Sequence, residues 1–141
     1  MRDTFWEDLT AGKRQYEACL AEVGSHYQLN QTEVSILLFL DASPALDTAS
    51  AIVEHRRLSK SHVSGSVRTL VERSYLEAYT LPDDRRSVHL RLLPAAEPVL
   101  CEARETARHF LSQLLYGFTP EEIVQLKHFS QKVAQNLKRR L

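Results

Sequence analysis

Apolar side chains recur with a helical period over most of this chain and switch to strict alternation in one short stretch. Val63, Val67, Leu70 and Val71 fall at i, i+4, i+7 and i+8, a single stripe on a 3.6-residue helix. Ala96, Leu100, Ala103, Ala107, Phe110 and Leu114 follow at alternating spacings of 4 and 3. Leu126, Phe129, Val133 and Leu137 extend the pattern near one end, and Leu9, Tyr16, Leu20 and Val23 supply it near the other. Such seams ask for helical partners, within the chain or in a second copy. By contrast, Val88, Leu90 and Leu92 alternate with His89 and Arg91, as in a half-buried strand. Leu76–Tyr79 reads as its partner strand. Residues 81–86, Leu-Pro-Asp-Asp-Arg-Arg, read as a turn with two arginines at its tip.

Start and stop signals divide the helical pattern. Asn30 with Glu33 makes a capping box, and Leu29 can staple to Val34. Thr119-Pro120-Glu121-Glu122 repeats the device with proline at the first helical position and a Phe118–Ile123 staple. Ser59 caps a helix starting at Lys60, and Asp47 is expected to cap one starting at Thr48. Gly24 and Gly117 stand where helices should stop. The expected architecture is mainly α. Six helices run over about 4–23, 31–41, 48–56, 60–73, 95–116 and 120 to near the end, with a two-stranded β wing between the fourth and fifth.

Composition narrows the class. A chain of 141 residues suits one domain with a real core, and 43% hydrophobic with 26% charged residues is ordinary globular usage. No apolar run approaches the ~18 residues of a membrane span, and three acids in the first eight positions do not make a signal peptide. Cys19 and Cys101 are too few and too far apart for a disulfide framework or a zinc knuckle, so a cytoplasmic protein is expected. The net charge is zero, but it is unevenly spread. Residues 1–54 hold 3 basic and 9 acidic side chains, residues 55–91 hold 8 and 4, and residues 92–141 hold 7 and 5. Phosphate binding responds to local positive density, so a neutral chain with a basic middle can bind DNA.

The third and fourth helices, with their short connection, have the size of a helix-turn-helix. On the fourth, the face opposite the apolar stripe carries Ser61, Gly65 and Arg68, flanked by Lys60, His62, Ser64 and Thr69, with no carboxylate before Glu72. A merely solvated helix usually mixes Glu and Lys. A small, polar, basic face suits the major groove, where donors reach base edges and phosphates.

Three segments carry a family resemblance: Leu58-Ser-Lys-Ser-His-Val-Ser64, Leu70-Val-Glu-Arg-Ser-Tyr-Leu76 and Asp84-Arg-Arg-Ser-Val-His-Leu-Arg-Leu92. They resemble the recognition helix and wing of the MarR family, the multiple-antibiotic-resistance-type regulators. The resemblance implies a winged helix-turn-helix over residues 30–93, carried on a homodimer formed by helices in 1–29 and 94–141. It further implies a pseudo-palindromic operator in double-stranded DNA, with the recognition helices in successive major grooves and the wings at the minor grooves. Carried over by position, Ser59, Lys60, Ser61, His62 and Ser64 occupy the groove-facing start of the fourth helix, and Arg68 follows one turn later. Asp84 braces the wing turn, Arg86 contacts the minor groove or a phosphate, and Arg85 is a second candidate at the same tip. The implied activity is transcriptional repression, relieved by a small aromatic or lipophilic effector or by an oxidant. The alternative is a helical dimer whose winged domain binds protein rather than DNA.

The chain departs from the family pattern at three places. Gly65 stands where a basic side chain is common, and a mid-helix glycine costs ~1 kcal/mol relative to alanine. Ser74 replaces the usual glycine after the recognition helix. Leu93-Pro-Ala-Ala-Glu97, followed by Pro98, replaces the usual threonine-capped start of the fifth helix.

Other chemistry is sparse. Cys19 has Tyr16 and Tyr27 near it in sequence, as in relatives that sense peroxide through a first-helix cysteine; a small buried cysteine is the plainer reading. His26, His55, His62, His89, His109 and His128 form no metal-dyad spacing. His26, Glu105 and His109 only loosely imitate a zinc site of some relatives, so neither metal nor cofactor is expected. Phe5, Trp6, Tyr16, Tyr27, Phe39, Phe110 and Tyr116 are either core or the lining of an effector crevice. The sequence has no Gly-rich phosphate loop and no nucleophile elbow, and an enzyme is not expected.

Overall fold

The computed structural model describes residues 4–139. Residues 1–3 and 140–141, at the ends of the two expected dimerisation segments, lie outside the described residues. The order is α1 (Thr4–Ser25), α2 (Gln31–Ala42), α3 (Ala49–Arg56), α4 (Lys60–Glu72), β1 (Leu76–Leu81), β2 (Asp84–Leu92), α5 (Glu97–Leu114) and α6 (Pro120–Lys138). The architecture is the mainly α winged helix-turn-helix expected from the pattern, six helices and a two-stranded antiparallel sheet.

The helix starts follow from side-chain chemistry. Asn30 Oδ1 accepts the Glu33 N–H at 2.8 Å, and Glu33 Oε1 accepts the Asn30 N–H at 2.9 Å. Thr119 and Glu122 make the same reciprocal pair at 3.2 and 2.9 Å. Ser59 Oγ accepts the His62 N–H at 3.1 Å and starts α4. At α3 the expectation needs correcting. The cap is Thr48, whose Oγ1 accepts the Ala51 N–H at 3.1 Å, because the Asp47 carboxylate is engaged by two wing side chains. The two prolines before α5 act as an entrance. Pro94 opens a 3₁₀ turn through Ala96, and Pro98 sits in the first turn of α5, where no N–H is needed.

Gly24 does not stop α1. It lies inside the last turn, where a Cβ would collide with the Leu29 carbonyl oxygen. The chain reverses instead at Gln28, with φ +57°. The wing is longer than expected: Leu76 pairs with Leu92, Ala78 with Leu90 and Leu81 with Asp84. The turn therefore shrinks to Pro82 and Asp83. Arg85 and Arg86 are the second and third residues of β2, not the tip.

Two compact units divide the chain at Arg108/His109. In the first, Leu20 and Val23 of α1, Val34, Ile36, Leu37 and Leu40 of α2, Ile52, Val63, Leu70, Leu76, Leu90, Val99 and Leu100 form one buried cluster. Every element up to the first half of α5 contributes to it, so α3, α4 and the wing share a single core. In the second unit, the end of α5 turns at Gly117 (φ +83°) into α6. No α6 residue is buried, and Leu126, Phe129, Val133 and Leu137 are all exposed.

Candidate nucleic-acid interface

The α4 stripe is seated as the periodicity requires. Val63 and Leu70 are buried, and Val67 and Val71 are half-buried. That leaves Lys60, Ser61, His62, Ser64, Gly65 and Arg68 exposed together on the opposite side. The start of this face is held by Ser59, whose hydroxyl caps α4 and lies 3.4 Å from Ser61 Oγ. No acidic side chain interrupts it before Glu72. The face presents hydroxyls, an imidazole and two cations on a rigid helix, which is the chemistry of base edges and phosphates.

On the wing, the Asp84 carboxylate accepts the Arg86 N–H at 3.1 Å. Its hydrogen bond with Ser87 and that from Arg86 hold the Asp84 carboxyl below its ordinary value, so it stays ionised. Arg85 and Arg86 are both exposed, and they lie in the part of β2 where the pairing with β1 shifts register between Tyr79 and Leu81.

The base of the wing is tied to the start of α3. The Leu90 N–H donates to the Asp47 carbonyl at 2.7 Å, and Thr48 bridges His89. His89 Nδ1 lies 2.8 Å from Asp47 Oδ1, and the Tyr79 hydroxyl donates to Asp47 Oδ2 at 2.9 Å. The His89 and Tyr79 rings stack at 5.3 Å, with the Arg91 guanidinium 4.4 Å from the Tyr79 centroid. This cluster fixes wing against helix-turn-helix. Nothing in the sequence announces it, because its members are 32 and 42 residues apart.

Two other side chains escaped the sequence reading. Arg57, exposed in the turn between α3 and α4, holds a left-handed backbone with φ +54°. Arg73 ends α4 by donating to the Tyr27 carbonyl at 2.6 Å and the Gln28 carbonyl at 2.5 Å, which satisfies that reversed loop.

The remaining candidates fall apart or stand alone. Among the described residues no group of three His, Cys, Asp or Glu could hold a metal. His26 is instead 2.5 Å from Glu102. Cys19 is a half-buried free cysteine, and the Tyr27 hydroxyl donates toward the Pro98 carbonyl at 3.3 Å. Tyr16 lines a cleft of about 200 Å³ with Lys13, Glu17, Leu20, Arg56 and Leu58. Trp6 lies apart from that cleft, exposed on α1 and edge-on to Phe5, while Phe39 is buried beneath Arg56. Within the first unit, Trp6 and Tyr16 therefore line separate clefts.

Residues 27–87 match the MarR family profile, so the family resemblance is shown over α2–α4 and most of the wing. The fold of the whole chain is that of MarR-family structures. A Listeria monocytogenes protein assigned to that family, solved with a 26mer DNA, superposes with a TM-score of 0.86 at 14% identity, covering 97% of this chain and 90% of that one. BpsR of Bordetella bronchiseptica, whose DNA binding is regulated by 6-hydroxynicotinic acid, gives 0.71 at 19%, covering 94% and 99%. A mutant of MarR from E. coli, in complex with operator DNA, gives 0.70 at 15%, covering 93% and 94%. No helix among the described residues is long and apolar enough to cross a membrane.

Proposed function

We propose that this protein is a MarR-type transcriptional regulator that binds double-stranded DNA as a homodimer and represses genes beside a pseudo-palindromic operator in the cytoplasm. One observation carries the reading. The exposed side of α4 is polar and basic, without a carboxylate from Lys60 to Val71, on a fold whose second wing strand carries two exposed arginines just after its first residue. Ser61, His62, Ser64 and Arg68 read the major groove. Ser59, Lys60, Arg85 and Arg86 hold phosphates or the minor groove, and Asp84 sets the turn that presents them.

The dimer is supported by apolar surface that a lone chain leaves wet. Trp6 and Leu9 of α1, and Val124, Phe129, Val133 and Leu137 of α6, are each more than half exposed. Contiguous apolar surface on helices marks association. The small cleft beside Tyr16, lined by Leu20, Leu58, Arg56 and the Lys13–Glu17 ion pair, is where a small aromatic effector would bind. An oxidant acting at Cys19, a half-buried free thiol on α1, is the second candidate signal.

The test is duplex binding across a salt series. Binding through several phosphates predicts affinity falling by roughly 10³-fold or more between 50 and 200 mM salt. Flat or absent duplex binding, with capture of a protein partner instead, favours the adaptor reading.

A further inference from the structure

Gly65 sits in the middle of α4, on the exposed face, with helix on both sides. Glycine there is a poor choice for folding, because it adds backbone freedom to the unfolded chain and packs nothing. Gly24 is explained by the Leu29 carbonyl, which leaves no room for a Cβ, whereas Gly12 of α1 and Gly65 both stand open; of these two, Gly65 lies on the polar, basic face of α4. A Cβ built on it meets nothing within 4 Å, and its backbone is not left-handed. The protein's own packing therefore gives no reason for the missing side chain. Its carbonyl accepts the Thr69 hydroxyl at 3.2 Å, so Thr69 turns back along the helix instead of crowding this side. Ser61 lies one turn before and Arg68 nearly one turn after, both exposed on the same side.

We infer that Gly65 is a specificity-determining position whose bare Cα lets α4 approach the base-pair edges of the major groove closely enough for Ser61 and Arg68 to reach them. This rests on the DNA-binding reading above and deepens it. What looks like a lost cationic contact becomes a required vacancy between two readers. A side chain at 65 would hold the helix off the groove floor and lengthen the neighbouring hydrogen bonds, which weaken steeply with distance. Phosphate contacts, made by long flexible cations at the rim, would adjust and persist.

The inference separates stability from recognition, and the experiment exploits that split. Gly65→Ala and Gly65→Gln are compared with the unaltered protein by thermal melting and by titration against two duplexes. One duplex is the best sequence selected from a random pool, and the other is a scrambled duplex of equal length. Gly65→Ala should melt higher than the unaltered protein, yet bind the selected duplex roughly tenfold more weakly, the size of a lost base contact. Scrambled-duplex binding should change less than about threefold, since that term is electrostatic. Gly65→Gln should lose at least as much selectivity. Selected-duplex binding by Gly65→Ala that equals or exceeds that of the unaltered protein overturns this inference alone. Failure of the unaltered protein to bind any duplex overturns the DNA reading and this inference together.

Discussion

His89 Nδ1 and Asp47 Oδ1 lie 2.8 Å apart, joining the second wing strand to the residue just before α3. Burial pushes the Asp47 carboxyl up, but hydrogen bonds from His89 and Tyr79 outweigh it and hold the carboxyl below its ordinary value. A carboxylate with a depressed folded pKa adds stability above its unfolded pKa, near 4, and loses it as pH falls through the folded value.

Asp47→Asn should therefore lower the stability of the winged unit by about 1.5–3 kcal/mol at neutral pH, the range for a hydrogen bond to a charged group. The gap between the two proteins should close as pH drops below about 4. Thermal melts from pH 3 to pH 7 check this. A gap independent of pH would mean that Asp47 acts through shape, not charge.

Ser74 follows α4 with φ +61°, a left-handed backbone that a side chain disfavours. Its N–H donates to the Val71 carbonyl at 3.0 Å, so the conformation is held by the helix end. Ser74→Gly should stabilise the protein by about 1 kcal/mol through relief of that strain. Denaturant titration reads the change. A loss of stability would show that the serine hydroxyl matters more than the backbone.

Arg86 and the start of α4 should fail differently when altered. Arg86→Ala should weaken binding to all duplexes alike and reduce the slope of log affinity against log salt by about 1. Ser61→Ala and His62→Ala should leave that slope nearly unchanged and alter which base pairs are preferred. Equal effects of all three on every sequence would remove α4 as the reader.

Phe129 and Val133 are each 55% exposed on α6. Replacing both with aspartate should weaken self-association by roughly 30-fold or more, as for central interface residues, while helicity is kept. Sedimentation of the unaltered protein at micromolar concentration should give a dimer, and the variant should run as a monomer. A monomeric unaltered protein would break the two-half-site picture.

Legibility in the sequence tracked distance along the chain. The caps at Asn30, Ser59 and Thr119 span three residues each and could be read directly. The α4 face was equally readable, because one helix sets both its buried stripe and its opposite side. Asp47 misled for the same reason. As a local cap it competes with Thr48, and only the wing, some 40 residues on, decides the matter. The Arg104 bidentate pair with Asp41, at 2.7 and 2.8 Å across 63 residues, left no local trace either. The full length of the wing is not legible in the sequence because Asp84–Arg86 and Glu77–Leu81 face solvent almost throughout, so apolar alternation vanishes there. Prolines at 94 and 98 blurred the start of α5, which only the 3₁₀ turn resolves.

Selection of bound duplexes from a random pool, at low salt and with the unaltered protein, addresses the interface most directly. Enrichment of a pseudo-palindrome, with half-sites centred about one helical turn (~10 base pairs) or a multiple apart, is the expected result. Recovery of an unenriched pool, or of no duplex at all, would contradict the assignment of α4 and the wing arginines to DNA.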